Sequence, residues 1–198
     1  MFTDVMDLKA EFREDLWHYE FYTYEPDEKT GMISVEAFLK SLAVCLHGRK
    51  VEKYLRRIKK VVEGVEKTEG MAGKGISLKE FIAFQLFLDN IDQLKSKVSQ
   101  YKYLDYDMYK GILESFSKNN EYCKKNKTKL SDVQMISVFL LIDLDDSGEL
   151  EPEEILDVFM DRKLLGQSRE EKAKKDAMDM VWKSFNSFKQ WTNELMGN

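Results

Sequence analysis

The stretch DLDDSGELEPEE, residues 143–154, decides both the fold and the chemistry expected of this chain. Its oxygen-bearing residues are spaced so that a curled loop of about twelve residues can surround one cation. They are Asp143, Asp145, Ser147, Glu149 through its carbonyl, Glu151 and Glu154. Ca²⁺ is a hard cation that takes about six to eight oxygen ligands in a loose geometry, and a closing carboxylate with two oxygens suits it. We therefore predict that these residues form a calcium-binding EF-hand loop.

The residues around this loop have the pattern of two helices that share a core. Gly148 at the sixth loop position allows the sharp turn, and Leu150 at the eighth is the aliphatic residue through which such loops pair. Pro152 falls in the first turn of the following helix, where its missing N–H costs no hydrogen bond. Apolar faces flank the loop on both sides, formed by Met135, Val138, Phe139, Ile142, Ile155, Val158 and Phe159. An acidic turn that only caps a helix would leave the spacing of Gly148 and Glu154 unexplained.

The rest of the sequence predicts an all-α fold. The 198 residues include only two prolines and ten glycines, and apolar residues recur mostly at three- and four-residue spacing, which is typical of helices. The predicted helices cover residues 8–24, 35–47, 50–64, 78–91, 93–102, 107–119, 131–142, 152–165 and 169–195. The tract 118–129 is polar and rich in lysine, so we expect an exposed linker with a solvated face there.

A helix–loop–helix unit recurs along the chain. Copies of its loop end are GMISVEAF at 31–38, GISLKEF at 75–81, GELEPEEI at 148–155 and a weaker YLDYDMYKGIL at 103–113. Four units form two pairs, in which we expect Ile33 to pair with Ile76 and Leu104 with Leu150. The predicted domains are a degenerate EF-hand pair at 1–92, a pair with the one intact loop at 93–166 and a long amphipathic C-terminal helix at 167–198.

Three of the four predicted loops lack the donors that calcium needs. In the first loop Pro26 and Ala37 hold the first and last ligand positions, and a start at Glu25 makes the loop one residue too long. In the second loop Glu80 can close the site, but Met71 and Gly73 are among the residues at the earlier ligand positions. The third has no glycine turn. We predict that these hands keep the fold without the metal.

Composition argues against several other classes of protein. The 31 basic and 36 acidic residues give a net charge of −5, which disfavours a nucleic-acid binder. Cys45 and Cys123 are far apart and form no CxxC motif, so the sequence predicts buried or idle thiols and neither a disulfide framework nor a zinc site. No apolar run is long enough to span a membrane, and residues 1–15 lack the features of a secretory signal or transit peptide.

Longer strings carry a family resemblance. They are MDLKAEFRED at 6–15, LWHYEFYTYEP at 16–26, GMISVEAFLKSL at 31–42, GISLKEFIAFQLFLDNIDQL at 75–94, VFLLIDLDDSGELEPEEILDVFMDRKL at 138–164 and MDMVWKSFNSFKQW at 178–191. Together they resemble the C-terminal lobe of the mitochondrial calcium uptake proteins, the EF-hand gatekeepers of the mitochondrial calcium uniporter. In that family the corresponding segments include a second degenerate hand, a last active hand and a tryptophan-bearing terminal helix.

The resemblance implies partners and a compartment. It implies Ca²⁺ as the bound ion, and uniporter channel subunits or a paralogous EF-hand subunit as partners, in a homo- or heterodimer. It also implies the mitochondrial intermembrane space, peripheral to the inner membrane. Family members normally have an N-terminal lobe with a further active hand and a presequence, so we expect this sequence to be a C-terminal lobe or a reduced member. Some animal members cross-link their dimer through a cysteine in the terminal helix, and the matching position here is Ser184.

The leading functional prediction is a regulatory calcium sensor that modulates the uniporter through protein contacts. In such sensors calcium draws the closing carboxylate inward and swings the following helix, predicted here at 153–165. The alternatives are a calcium buffer or a structural EF-hand protein without a channel partner. We expect no enzymatic activity, because His18 and His47 are the only histidines and no nucleophile motif or phosphate loop occurs.

The C-terminal helix carries an apolar stripe that needs a contact. The stripe consists of Met178, Val181, Trp182, Phe185, Phe188, Trp191 and Leu195. An amphipathic helix usually buries its stripe within its own domain, and docking on a partner is the alternative.

Overall fold

The computed structural model describes residues 2–43 and 49–160, and this part of the chain is built from helices, short loops and four two-residue strands. In chain order the elements are α1 (Phe2–Tyr22), β1 (Met32–Ile33), α2 (Val35–Ala43), α3 (Arg49–Lys67), β2 (Ile76–Ser77), α4 (Leu78–Asp89), α5 (Ile91–Val98), β3 (Leu104–Asp105), α6 (Tyr106–Asn119), α7 (Glu121–Asn126), α8 (Asp132–Ile142) and β4 (Glu149–Leu150). Residues 152–160 are again helical and are named the exiting helix below. The prediction of an all-α EF-hand fold is confirmed.

Two short antiparallel ladders join the loops in pairs. Ile33 of β1 lies opposite Ile76 of β2, and Leu104 of β3 lies opposite Leu150 of β4. Both pairings are those predicted from the position of the aliphatic residue in each loop. The four side chains are buried, so each ladder fixes the relative position of two helix–loop–helix units from inside the core.

Aromatic side chains from several hands meet in one core. Phe84 of α4 contacts Phe38 of α2 with ring centroids 5.0 Å apart, and Phe87 of α4 contacts Phe116 of α6 at 5.3 Å. Phe159 of the exiting helix contacts Phe87 with centroids 5.3 Å apart. Full burial of one such ring contributes about 1.5–3 kcal/mol. The helix that follows the predicted calcium loop is therefore anchored against α4 of the second hand, which consists of α3, β2 and α4.

The tract expected to be an exposed linker contains a short helix. Residues Glu121–Asn126 form α7, which begins where the Asn120 side chain accepts a hydrogen bond from the Cys123 amide and ends at Lys127 in the left-handed conformation. The lysines of the tract are exposed, as predicted. Cys123 is buried, and this burial raises the pKa of its thiol. The predicted exposure is thus present, but the helix was not among the predicted elements; a local Asn cap and one buried side chain order the segment.

Several predictions fall on residues outside the described ranges. They concern the C-terminal helix at 169–195 with its apolar stripe, Ser184, Cys45 and His47. Within the described ranges, no helix combines the length and apolar character needed to cross a bilayer.

Candidate calcium site

Asp143 is the residue from which the fourth loop is organised. Helix α8 ends at Ile142, and Asp143 follows as its C-cap with only 4% of its surface exposed. One carboxylate oxygen accepts a hydrogen bond from the Ser147 amide at 3.0 Å, and the other accepts one from the Gly148 amide at 3.1 Å. These two bonds fold the chain back over the Asp143 carboxylate, which is how an EF-hand loop places its first ligand.

The middle of the loop is held by hydrogen bonds among its predicted ligands. Asp145 accepts from the Ser147 amide at 3.1 Å, and the Ser147 hydroxyl donates to the Glu149 carbonyl at 2.9 Å. Hydrogen bonding to Ser147, through its side chain and its amide, lowers the pKa of the Asp145 carboxyl. Gly148 has a φ of 77°, a left-handed conformation that favours glycine. The predicted turn is therefore present, with oxygen donors on both sides of it.

The last two predicted ligands lie at the start of the exiting helix. Glu151 donates its amide to the Glu154 carboxylate at 3.1 Å, so Glu154 caps the first turn of its own helix. Pro152 is the first helical residue, which agrees with the predicted position in the first turn, and it is buried. In this position the Glu154 carboxylate is engaged with the backbone.

The structure thus places the six predicted ligands in one loop but does not gather their carboxylates. Among the residues described, no group of three or more His, Cys, Asp or Glu side chains is close enough together to hold a metal ion. The donor chemistry nevertheless fits calcium, because every predicted ligand offers oxygen. An ion bound here would be held by the residues around Asp143, and the Glu154 carboxylate would have to reach it from its position beside the Glu151 amide.

A cationic contact from the second hand was not predicted from the sequence. Arg57 of α3 donates to the Asp146 carboxylate at 2.8 Å, and Lys60 contacts the other oxygen of the same carboxylate. Together these cations lower the pKa of Asp146, with the hydrogen bond from Lys60 as the largest cause. Asp146 is not a ligand position, and it has a positive φ of 59°. Local sequence patterns do not predict this contact, because it joins residues 89 positions apart in the chain.

The Asp27 carboxylate of the first degenerate loop accepts hydrogen bonds from the loop itself. Asp27 accepts hydrogen bonds from the Thr30 amide at 2.8 Å, the Thr30 hydroxyl at 3.0 Å and the Lys29 amide at 3.1 Å. These bonds lower the pKa of Asp27, and the Thr30 amide contributes most. The carboxylate is thus used to close a turn of the backbone.

The second and third degenerate loops use their acidic residues as helix caps. Glu80, the predicted closing residue of the second loop, accepts from the Ser77 amide at 2.8 Å and the Ser77 hydroxyl at 2.7 Å. Asp105 of the third accepts from the Met108 amide at 2.8 Å and caps α6. The chemistry that remains in these loops stabilises helix starts.

Comparison with known proteins supports the fold. No protein-family model and no curated protein matches the sequence. Among solved structures, the chain is similar to the crystal structure of EFHA2 in its apo state, with 20% sequence identity and a TM-score of 0.59 over 81% of this chain. The match covers 45% of the EFHA2 chain, so the present sequence spans less than half of that protein's length. EFHA2 is an EF-hand protein, and the likeness agrees with the EF-hand fold seen in the ladders and the fourth loop.

Proposed function

We propose that this chain is a calcium-binding regulatory protein whose sensing element is the loop at 143–154. The observation that carries this proposal is the geometry of Asp143, whose buried carboxylate already accepts the two amide hydrogen bonds that curl the loop. The other predicted ligands follow at the spacing of a calcium loop. We expect a dissociation constant of about 10⁻⁷ to 10⁻⁵ M, the range of regulatory EF-hand sites.

The attachment of Glu154 favours a sensor over a passive buffer. Its carboxylate caps the exiting helix, so ion binding requires this side chain to move. The next residue, Ile155, is fully buried, and Phe159 packs on Phe84 and Phe87 of α4. Because side chains in a close-packed core move together, a shift at Glu154 is expected to reach α4. The movement of the exiting helix would be the output signal.

We propose in addition that the regulated process is mitochondrial calcium uptake through the uniporter. The support is the resemblance of the strings described above together with the structural likeness to EFHA2. On this proposal the chain lies in the intermembrane space and binds channel subunits or a paralogous EF-hand subunit in a calcium-dependent manner, without enzymatic activity. Calcium-dependent binding to channel peptides is the corresponding measurement, and equal binding with and without calcium would contradict this part of the proposal.

Removing the first and last ligands tests the site itself. The double variant Asp143→Ala/Glu154→Lys should give no calcium heat in calorimetry and no calcium-induced rise in melting temperature, while the metal-free protein still folds. The matched control is Glu80→Gln, which changes the closing position of the degenerate second loop and should leave calcium binding intact. Calcium heat that persists in the double variant would show that the ligands are assigned to the wrong residues.

An apolar dye separates the sensor from the buffer. A sensor should change dye fluorescence when calcium is added, because the exiting helix moves and exposes apolar surface. A protein that binds calcium without a change in dye fluorescence would be a buffer, and the regulatory part of the proposal would fall.

A further inference from the structure

Arg57 of α3 joins the second hand to the calcium loop of the fourth through three separate acceptors. Its Nε donates to the Leu140 carbonyl at 2.7 Å, its Nη1 to the Leu144 carbonyl at 3.2 Å and its Nη2 to the Asp146 carboxylate at 2.8 Å. The Arg57 side chain is only 10% exposed, although it carries a full charge. The planar guanidinium can bind all three because its donors point in fixed and different directions.

The three acceptors lie on both sides of Asp143. Leu140 is in the last turn of α8, where backbone carbonyls have no partner within the helix. Leu144 and Asp146 belong to the first half of the loop. A cation at the C-terminal end of α8 is also favoured by the helix dipole. Arg57 therefore binds the backbone three residues before the first predicted ligand and at the residue that follows it.

We propose that Arg57 is a positioning residue for the calcium loop, so that the degenerate second hand sets the calcium affinity of the fourth. This inference rests on the proposed calcium site and deepens it. A loop whose first half is already held loses less conformational freedom when it binds an ion, and its affinity is correspondingly higher. The second hand has no calcium site of its own in this account, and its function is to hold the loop that has one.

The positive charge of Arg57 acts in the opposite direction. A cation near the loop repels Ca²⁺, so a pure charge effect predicts tighter calcium binding when Arg57 is neutralised. The Asp146 carboxylate pairs with both Arg57 and Lys60, so it offsets only part of this repulsion. A positioning role predicts weaker calcium binding when Arg57 is neutralised, whereas a charge effect predicts tighter binding. A variant that keeps the positive charge but lacks the planar guanidinium separates the two effects.

The decisive variant is Arg57→Lys, because lysine keeps the charge but cannot reach three acceptors at once. We expect Arg57→Lys and Arg57→Gln each to bind calcium about tenfold more weakly, the effect of losing about one hydrogen bond from a charged donor. The matched controls are Arg56→Lys and Arg56→Gln. Arg56 is the next residue on the same helix, its side chain is 77% exposed and it pairs with Glu52, so its variants should bind calcium as the unchanged protein does.

Calorimetry well below the melting temperature separates a positioning effect from a general loss of stability. If Arg57→Lys binds calcium with unchanged affinity, or Arg57→Gln binds more tightly, charge is the dominant effect and the proposal is overturned. If a variant is too unstable for calorimetry, a measurement on the metal-free protein still tests the proposal. Hydrogen exchange at the Ser147 and Gly148 amides should be faster in Arg57→Lys than in Arg56→Lys, and equal rates would overturn the proposal.

The unchanged protein keeps the two proposals distinguishable. If it binds no calcium, the proposed function fails, and the exchange rates still report whether Arg57 orders the loop. If it binds calcium and the Arg57 variants match it, only the inference about Arg57 fails.

Discussion

Single residues in this molecule gain different roles from their surroundings even where their chemistry is alike. Asp143 and Asp27 both accept backbone amides within a loop, yet only Asp143 is buried and followed by further ligands at calcium spacing. Glu154 and Glu80 both cap a helix, but only Glu154 closes a loop with oxygen donors at its other ligand positions. On the proposed function, the surrounding residues therefore decide which of these carboxylates serves as a calcium ligand.

The six candidate ligands could be selected from the sequence, but the sequence does not show which hydrogen bonds all of their side chains make. Their spacing along the chain predicts the loop, and the observed Asp143 and Ser147 hydrogen bonds agree with that loop. The engagement of Glu154 with the Glu151 amide could not be predicted, because the same spacing allows the carboxylate to face either the helix or an ion. The contact of Arg57 with Asp146 depends on tertiary packing alone.

One buried hydroxyl in the core should be dispensable. The Tyr109 hydroxyl is buried without a hydrogen-bond partner among the described residues, and burial raises the pKa of this phenol. Tyr109→Phe should increase the free energy of unfolding by about 1 kcal/mol, because a buried polar group without a partner is costly. Urea denaturation measures the change.

Tyr24→Phe is the matched control for that substitution. The Tyr24 hydroxyl donates to the Glu20 carboxylate at 2.9 Å, so its removal should lower stability by about 0.5–1 kcal/mol. Destabilisation by Tyr109→Phe of the same size would mean that the Tyr109 hydroxyl has an acceptor after all.

Among the helices and strands, the loops that form the two ladders have similar sequences but need glycine for different reasons. Gly31 and Gly148 have φ values of 67° and 77°, so both occupy the left-handed region. Gly75 likewise precedes the aliphatic residue of the second loop, but glycine is needed there because a larger side chain would not fit. A Cβ there would lie 2.7 Å from the Ile33 carbonyl oxygen and 2.8 Å from the Met32 Cβ. The sequence predicted the pairing of these strands but not this close approach.

Gly75→Ala should therefore open the ladder between the first two hands. The added methyl group meets backbone, which cannot rotate away as a flexible side chain can. We expect a loss of about 1–3 kcal/mol in the free energy of unfolding, as for other overpacked positions. Chemical denaturation of the metal-free protein is the measurement.

Gly111→Ala is the matched control, and we expect it to raise the free energy of unfolding instead of lowering it. Gly111 lies within α6, and a Cβ there would have no atom within 4 Å apart from its own helix and chain neighbours. Alanine is favoured over glycine in a helix by about 0.5–1 kcal/mol, so this variant should be more stable than the unchanged protein. A neutral Gly75→Ala variant would show that β1 and β2 are not in tight contact.

The helix boundaries show which features of the fold can be predicted from the sequence pattern. Most predicted boundaries agree with the structure because apolar periodicity and Ser caps mark them, as at Ser77 and Ser131. Helix α7 was missed, since its sequence offers one buried residue, Cys123, and no apolar period. Its Asn120 cap was the one local indication.

Within the described part of the molecule, residues of the other hands contact the loop at 143–154 and the helices on either side of it. Arg57 holds the backbone on both sides of Asp143, and Gln134 of α8 donates to the Glu80 carbonyl of α4 at 3.2 Å. Phe159 packs against the same helix α4. Such contacts join distant parts of the chain, so they follow from the fold and not from any local sequence pattern.

We expect this chain to bind one calcium ion, in the loop at 143–154, and the number of bound ions can be counted by titration. Calorimetric titration of the full chain with calcium should give one ion per chain, because the other three predicted loops lack a complete set of oxygen donors at their ligand positions. A stoichiometry of one that falls to zero in Asp143→Ala/Glu154→Lys is the predicted result. Two or more ions per chain, or none, would contradict the account.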